Sequence, residues 1–324
     1  MTFPYSQITA IVNEVIKDEL ADAVFKSRLG LERMKKNIVI EDSGHQIKAP
    51  LYILDDAGTT GAWYSKGDAL SLDSYDGISA SQHSWRYLYE SIVVSKIELA
   101  QAGSKKGQLN LLTAKMKQMN NAFSQRLMKG ILSDGGASTG ALDTDQIDGL
   151  DLAIGSASYG GITTSDLATW LSYVNDNSGT GRAISQLLVD QAMDQATEGG
   201  IGGPTVAFMN KAVRTRFKNL LTPFQQTQRV STVDGLGHQG DVIVYNGVDF
   251  ITENLMENTS GGDGRIFFVD EKFAKLHVLS GGNFRNDEIS SLESQDALLN
   301  RVHLYAQLVC NERRFHSELT DLTI

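Results

Sequence analysis

The chain has 324 residues, room for two compact domains or for one domain with large excursions. Hydrophobic residues make up 41% and charged residues 21%, enough apolar material for a core and too much for a disordered chain. Its 29 basic and 39 acidic residues give a net charge of −10, which repels phosphate backbones and disfavours general nucleic-acid binding. The basic residues are scattered, and the pairs Lys35-Lys36, Lys105-Lys106 and Arg313-Arg314 are too short to form a nucleic-acid stripe. The single cysteine, Cys310, excludes an intrachain disulfide and a multi-cysteine metal site. It lies in the apolar run Leu304–Cys310, where a small buried hydrophobe is expected.

In chain order, Ile8, Val12, Val15, Ile16, Leu20 and Val24 recur at three- and four-residue steps and predict an amphipathic helix, which Gly30 is expected to interrupt. The N-terminus lacks the basic patch and apolar core of a signal peptide, and no apolar run approaches the roughly 20 residues that span a bilayer. A reducing, cytoplasm-like setting is therefore expected. From Asn37 to Val94, short apolar runs at Ile38–Ile40 and Leu51–Leu54 alternate with Gly, Ser and Asp clusters. The middle, Asp55–Ser84, is poor in large aliphatics and buries little surface by itself. Trp85, Tyr87 and Tyr89 are expected on one side of a closing strand. The reading is a long β-excursion with anchored ends, suited to lying on another chain.

Ser104 can cap a helix to Ser133, with Leu112, Met116, Met119, Phe123 and Leu127 on one face, a rod of roughly 45 Å. Asp134-Gly135-Gly136 ends it. A glycine-rich connector over Ala137–Gly161 carries one apolar island, Ile147–Ile154. Helices are predicted over Thr164–Tyr173, over Ala183–Thr197 using Ile184, Leu187, Leu188 and Ala192, and over Asn210–Leu221. Thr205–Met209 reads as a buried strand, and Asn246-Gly247 joins the strands Asp241–Tyr245 and Val248–Thr252 as a hairpin. Strands at Arg265–Val269 and Lys275–Leu279 precede a polar stretch, Ser280–Asn300, and Arg301–Val309 is the last predicted strand.

Motifs for chemistry fail on context. Gly235–Gly240 matches G-x-G-x-x-G, but a strand follows it where a dinucleotide site needs a helix N-terminus. Gly199–Pro204 lacks the Lys-Ser/Thr ending of a phosphate loop and reads as a turn. Asp143, Asp145 and Asp148 resemble the start of a calcium loop, but Ile147 and Ile154 occupy ligand positions. The histidines His45, His83, His238, His277, His303 and His316 form no zinc spacing. Asp55-Asp56 reads as a solvated turn, and neither a nucleophile elbow nor a context for Cys310 as nucleophile is present. No catalytic, cofactor-binding or metal-binding residue is assigned, and the expectation is that the chain is not an enzyme.

The succession of elements, several without obvious partners in one compact fold, resembles the major capsid protein fold of tailed bacteriophages, the Hong Kong phage type shared with encapsulins. The Trp85–Val94 strand leading into the Ser104–Ser133 helix is similar to that family's approach to its spine helix. Gln146–Leu150, Tyr159–Ile162 and Trp170 resemble the family's "DGL … YGGI … W" run, and Pro204–Asn210 with Val213-Arg214 its "P … MN … R" turn. The resemblance implies an α+β fold: an N-terminal arm over 1–36, an extended β-loop over 37–94, a peripheral domain over 95–161 and 266–324 with a spine helix over 104–133, and an axial domain over 162–265. It implies a structural protein assembling as hexamers and pentamers into an icosahedral virion shell around double-stranded DNA, without cofactors, sequence-specific DNA binding or a membrane. Assembly is expected in the host cytoplasm, with a portal and a decoration protein as further partners. An encapsulin-like nanocompartment and a soluble α/β enzyme are the alternatives. Many members carry a long charged N-terminal extension; residues 1–36 lack one, which implies a separate scaffolding protein or earlier cleavage. Some members form Lys–Asn isopeptide cross-links, for which Lys66, Asn283, Asn286 and Asn300 supply the residue types.

Overall fold

The computed structural model describes residues 22–52, 63–67, 78–135, 145–155, 158–163, 170–197, 201–221, 242–259, 262–287, 290–291 and 296–324. Most of the predicted first helix, the G-x-G-x-x-G segment, Asp55-Asp56, Asp143, and most of the predicted helix over Thr164–Tyr173 lie outside those residues. Among the described residues, a helical stretch over 22–26 is followed by α1 (Leu29–Lys35), β1 (Val39–Glu41), β2 (Gln46–Tyr52), β3 (Ile78–Ser84) and β4 (Arg86–Ser95). Then follow α2 (Lys96–Gln101), α3 (Lys105–Leu132), α4 (Leu150–Ile154), β5 (Tyr173–Asn175), α5 (Gln186–Gln195), β6 (Val206–Met209) and α6 (Lys211–Leu221). The later described elements are the strands β7 (Ile243–Tyr245), β8 (Val248–Thr252), β9 (Gly264–Val269), β10 (Ala274–Leu279), β11 (Arg285–Asn286), β12 (Ser290–Ser291), β13 (Ala297–Cys310) and β14 (Ser317–Leu322), with short 3-10 turns at Ser280–Gly282 and Arg313–Phe315.

Helix starts follow local capping chemistry. Ser104 Oγ accepts the Gly107 amide at 3.1 Å, Ser185 Oγ the Leu188 amide at 3.3 Å and Asn210 Oδ1 the Val213 amide at 2.9 Å. Asn246 and Gly247 take φ of 49° and 81°, the paired positive values of a two-residue hairpin turn between β7 and β8.

Two six-stranded sheets organise the fold. The first runs β1-β10-β13-β11, with β12 also on β13 and β4 paired antiparallel along β13 from Arg86↔Ala306 to Ser95↔Ala297. The second runs β5-β14-β9-β6-β8-β7, and β2–β3 form a separate antiparallel pair. On β6, Val206 and Phe208 enter a core shared with α1, α3 and the first sheet, whereas Ala207 and Met209 face α5 and α6. On β9, Phe267 and Val269 take the first side, Ile266 and Phe268 the second. Burial on both faces makes these strands continuous apolar runs, each large side chain contributing about 2–3 kcal/mol.

Several expectations are corrected. Gly30 lies inside α1, packed on Met128 and Phe208, and the break falls at Arg28, whose backbone is extended. Trp85 precedes β4 and is buried, donating Nε1–H to the Gly44 carbonyl at 2.9 Å, while Tyr87 and Tyr89 point to solvent. Tyr173 opens a strand and does not close a helix. Leu187, expected on the buried face of its helix, is exposed; Ala192, expected there too, is buried, together with Val189 and Met193. Strand β14 follows the last predicted one, and with β9 it completes the sheet that holds β5, β6, β7 and β8, so that sheet draws on residues from both sides of position 266. Strand β14 is buried throughout although four of its six residues are polar: Ser317 donates to the Ala192 carbonyl at 2.6 Å, and Asp321 Oδ2 accepts the Asn177 and Gly179 amides at 2.8 and 2.9 Å.

Candidate assembly interface

The connector after α3 is clasped onto β13. Asp148 Oδ2 accepts from Gln307 Nε2 at 2.7 Å, and the Asp148 amide donates to Gln307 Oε1 at 3.0 Å. At Gly149 a Cβ would stand 2.3 Å from the Ser133 carbonyl oxygen, so only glycine lets the chain cross the end of α3. The Tyr159 hydroxyl donates to the Leu308 carbonyl at 3.2 Å and accepts the Cys310 amide at 3.1 Å; Trp170 Nε1 donates to the Asn311 carbonyl at 2.8 Å. Burial pushes the Tyr159 hydroxyl's pKa up, and that of Cys310 up to about 12, so both stay protonated.

Arg313 closes this arrangement. Its Nε donates to the Ala153 carbonyl at 2.5 Å and a terminal nitrogen donates to the Gly155 carbonyl, the last carbonyls around α4. The guanidinium lies 5.5 Å from the Tyr159 ring centroid and 5.1 Å from that of Trp170. The base of the β2–β3 excursion sits on the same turn: the Gln82 amide donates to the Gly160 carbonyl at 2.8 Å, and His83 packs 4.7 Å from the Tyr159 ring. Gly160 has φ of 59°, and a Cβ there would meet Ser81 at 2.6 Å. Gly160→Ala should therefore cost about 1–3 kcal/mol and loosen the β2–β3 base. Thermal melts combined with hydrogen exchange at Gln82 check this, and unchanged protection there would count against it.

Beyond its base, the excursion leaves aromatic surface uncovered. Trp63 is fully exposed and Tyr64 largely so. On β4, Tyr87, Tyr89 and Val93 face outward, and Tyr87 packs edge-on against Tyr305 at 4.8 Å. Strand β4 is also an edge: opposite β13 it pairs with no strand among the described residues. A ten-residue free edge bordered by exposed tyrosines is the kind of surface that another chain covers.

Of the residues weighed for chemistry, Asp145 and Asp148 pair with Arg86, His303 with Asp287 at 2.8 Å and His277 with Glu41 at 3.1 Å, each pair at a different place in the fold. Cys310 is buried. Among the described residues no group of three metal-ligating side chains gathers, and no helix is long and apolar enough to cross a membrane. Sequence reasoning missed Arg313, whose pairing with Arg314 reads as exposed charge; only its place among Tyr159, Trp170 and the connector marks it.

Two sheets sharing a core, a long capped helix and an excursion with uncovered aromatics define the class of shell-forming coat proteins. Residues 88–302 match the SU10 major capsid protein family, and the chain belongs to that family. No match is found among the curated proteins. Similar solved structures include the cyanophage A-1(L) capsid asymmetric unit, at 15% identity over 91% of this chain and 92% of that one with a TM-score of 0.64. A protein of Mycobacterium phage Bobi matches at 10% identity over 89% of each chain, TM-score 0.55. The SrpI encapsulin of Synechococcus elongatus PCC 7942 matches at 11% identity over 89% of this chain and 85% of that one, TM-score 0.55. The fold is thus the α+β coat fold common to phage capsids and encapsulins, and the family match fixes the phage side: a structural subunit of the virion capsid.

Proposed function

We propose that the chain builds an icosahedral shell from hexamers and pentamers around double-stranded DNA, without sequence-specific binding and without catalysis. The arm lies within residues 1–36 and the extended loop within 37–94; α1, β1 and β4 anchor these ranges to the subunit's own core, and the rest of each is the part that reaches a neighbouring subunit. The peripheral domain is built on the first sheet with the spine helix α3, and the axial domain on the second sheet. Assembly takes place in the host cytoplasm, with a separate scaffolding protein, a portal and a decoration protein as partners. The observation that carries this reading is the exposed set Trp63, Tyr64, Tyr87 and Tyr89, too much aromatic surface for a solitary soluble domain to leave wet. Many modest interfaces of this kind close a shell, because each repeats by symmetry.

Replacing Asp56–Gly77 by a short Gly-Ser turn keeps the β2–β3 base and removes the rest of the excursion. The expected outcome is a folded subunit that fails to give heat-stable shells in negative stain. Particles of normal size that survive heating would refute the loop's role.

A further inference from the structure

In a chain of net charge −10, the 28 residues of α3 contain Lys105, Lys106, Lys115, Lys117, Arg126 and Lys129 and no carboxylate. In the sequence these cations are spread out; the helix collects them on one rod, about 42 Å long at 1.5 Å per residue. Helical spacing sets Gln118, Asn121 and Gln125, all exposed, along the centre of the solvent face. Lys106 and Lys117 border it on one side and Lys115, Arg126 and Lys129 on the other.

On one border each cation has a carboxylate beside it: Lys115 lies 3.9 Å from Glu98, Arg126 3.3 Å from Glu90 and Lys129 2.9 Å from Glu257. Among the described residues no carboxylate pairs with Lys106 or Lys117. The face also shows no exposed large hydrophobic side chain, in contrast to the tyrosines of β4.

We infer that the solvent face of α3 is the surface on which the phosphate backbone of double-stranded DNA rests. This rests on the reading of the chain as a shell around DNA, and it turns that face of α3 toward the interior. Charge complementarity selects the partner. The exposed amides and the ammonium groups of Lys106 and Lys117 suit phosphate oxygens, whereas a protein partner would need an apolar centre, which this face lacks. A rod of this length lies beside about 25 phosphate charges of a duplex. The contacts are electrostatic and indifferent to sequence, and the acidic remainder of the chain keeps them weak enough for the genome to slide during packing and release.

The test uses the full-length unassembled subunit and a fluorescent duplex of about 30 base pairs, with anisotropy read from about 20 to 200 mM NaCl. The variant Lys106→Gln/Lys117→Gln/Lys129→Gln should bind about tenfold or more weakly at the lowest salt, and its slope of log K against log salt should shrink by about 2–3. A control of equal charge loss elsewhere, Lys36→Gln/Lys48→Gln/Lys211→Gln, should keep the original slope. Equal binding by the helix variant, equal loss by the control, or no binding by the unmodified chain at the lowest salt would overturn the inference. So would a helix variant that blocks shell formation while its DNA affinity is unchanged, which would assign the face to a protein such as a scaffold. Negative-stain images separate this from the parent reading: normal shells with unaltered DNA affinity sink the inference alone, whereas absence of shells under every condition sinks the shell itself.

Discussion

Arg313→Met is expected to destabilise the unassembled subunit by about 3–5 kcal/mol, as read from urea unfolding midpoints. The guanidinium is buried and bonded to two carbonyls at the end of α4, against the rings of Tyr159 and Trp170. Methionine fills much of the volume but leaves the Ala153 and Gly155 carbonyls in an apolar site without a donor, and unpaired buried acceptors carry most of the cost. Arg313→Lys restores a cation but not the planar fork that reaches both carbonyls, so it should recover less than half of the loss. Burial lowers the guanidinium's pKa, which makes the surrounding carbonyls and ring faces necessary to hold the charge there. A measured loss under about 1 kcal/mol for the methionine variant would mean that the clasp is incidental.

The second large effect is on pH dependence. Glu318, buried on β14, has its pKa raised from 4.5 to about 8, first by desolvation and then by Asp151 and Asp321, with Arg265 only partly offsetting them. Arg265 lies 2.8 Å from Asp151 and 3.7 Å from Glu318, so one cation is shared between two carboxylates. Between 4.5 and 8 the unfolded chain has lost this proton while the folded chain keeps it, and stability falls as pH rises by roughly 1.4 kcal/mol per unit at most.

His316 acts in the other direction. Desolvation first, then Arg313, lowers its pKa from 6.5 to about 3, and its Nδ1 accepts the Asp270 amide at 3.1 Å, a bond that needs the neutral ring. Below 6.5 the unfolded chain binds a proton that the folded chain refuses, so stability is lost as pH falls toward 3. The two slopes oppose each other between 4.5 and 6.5, and the Glu318 slope stands alone from 6.5 to 8. Glu318→Gln should flatten that upper limb in melts taken across pH and, with the opposing slope gone, let stability rise with pH between 4.5 and 6.5 through His316. An upper limb as steep in the variant as in the parent would show that another group titrates there.

Local chemistry was legible in the sequence wherever a residue acts on its near neighbours. Ser104 and Ser133 bracket α3 because capping is decided within one turn, and Asn246-Gly247 forms its turn because few other pairs accept two positive φ values. The apolar runs of β6 and β9 gave themselves away because both faces are buried. The "DGL … YGGI … W" residues stood out as a pattern, and the structure supplies their reason: they fasten the connector to β13 and its exit.

Polar strand β14 was illegible, since Glu318, Thr320 and Asp321 read as surface until Arg265, Asn177 and Gly179 are brought beside them. Trp85 and Tyr87 share an alternation in the sequence but part company where the chain leaves β3 for β4. By itself, then, the sequence determined the α+β class, the long capped helix, the hairpin and the coat-type order of elements, all carried by periodicity and short-range bonding. Only the tertiary structure decided that Arg313 is a buried clasp and that Glu318 is a titrating core carboxyl. Those properties depend on desolvation and on partners far apart along the chain, which no local window contains.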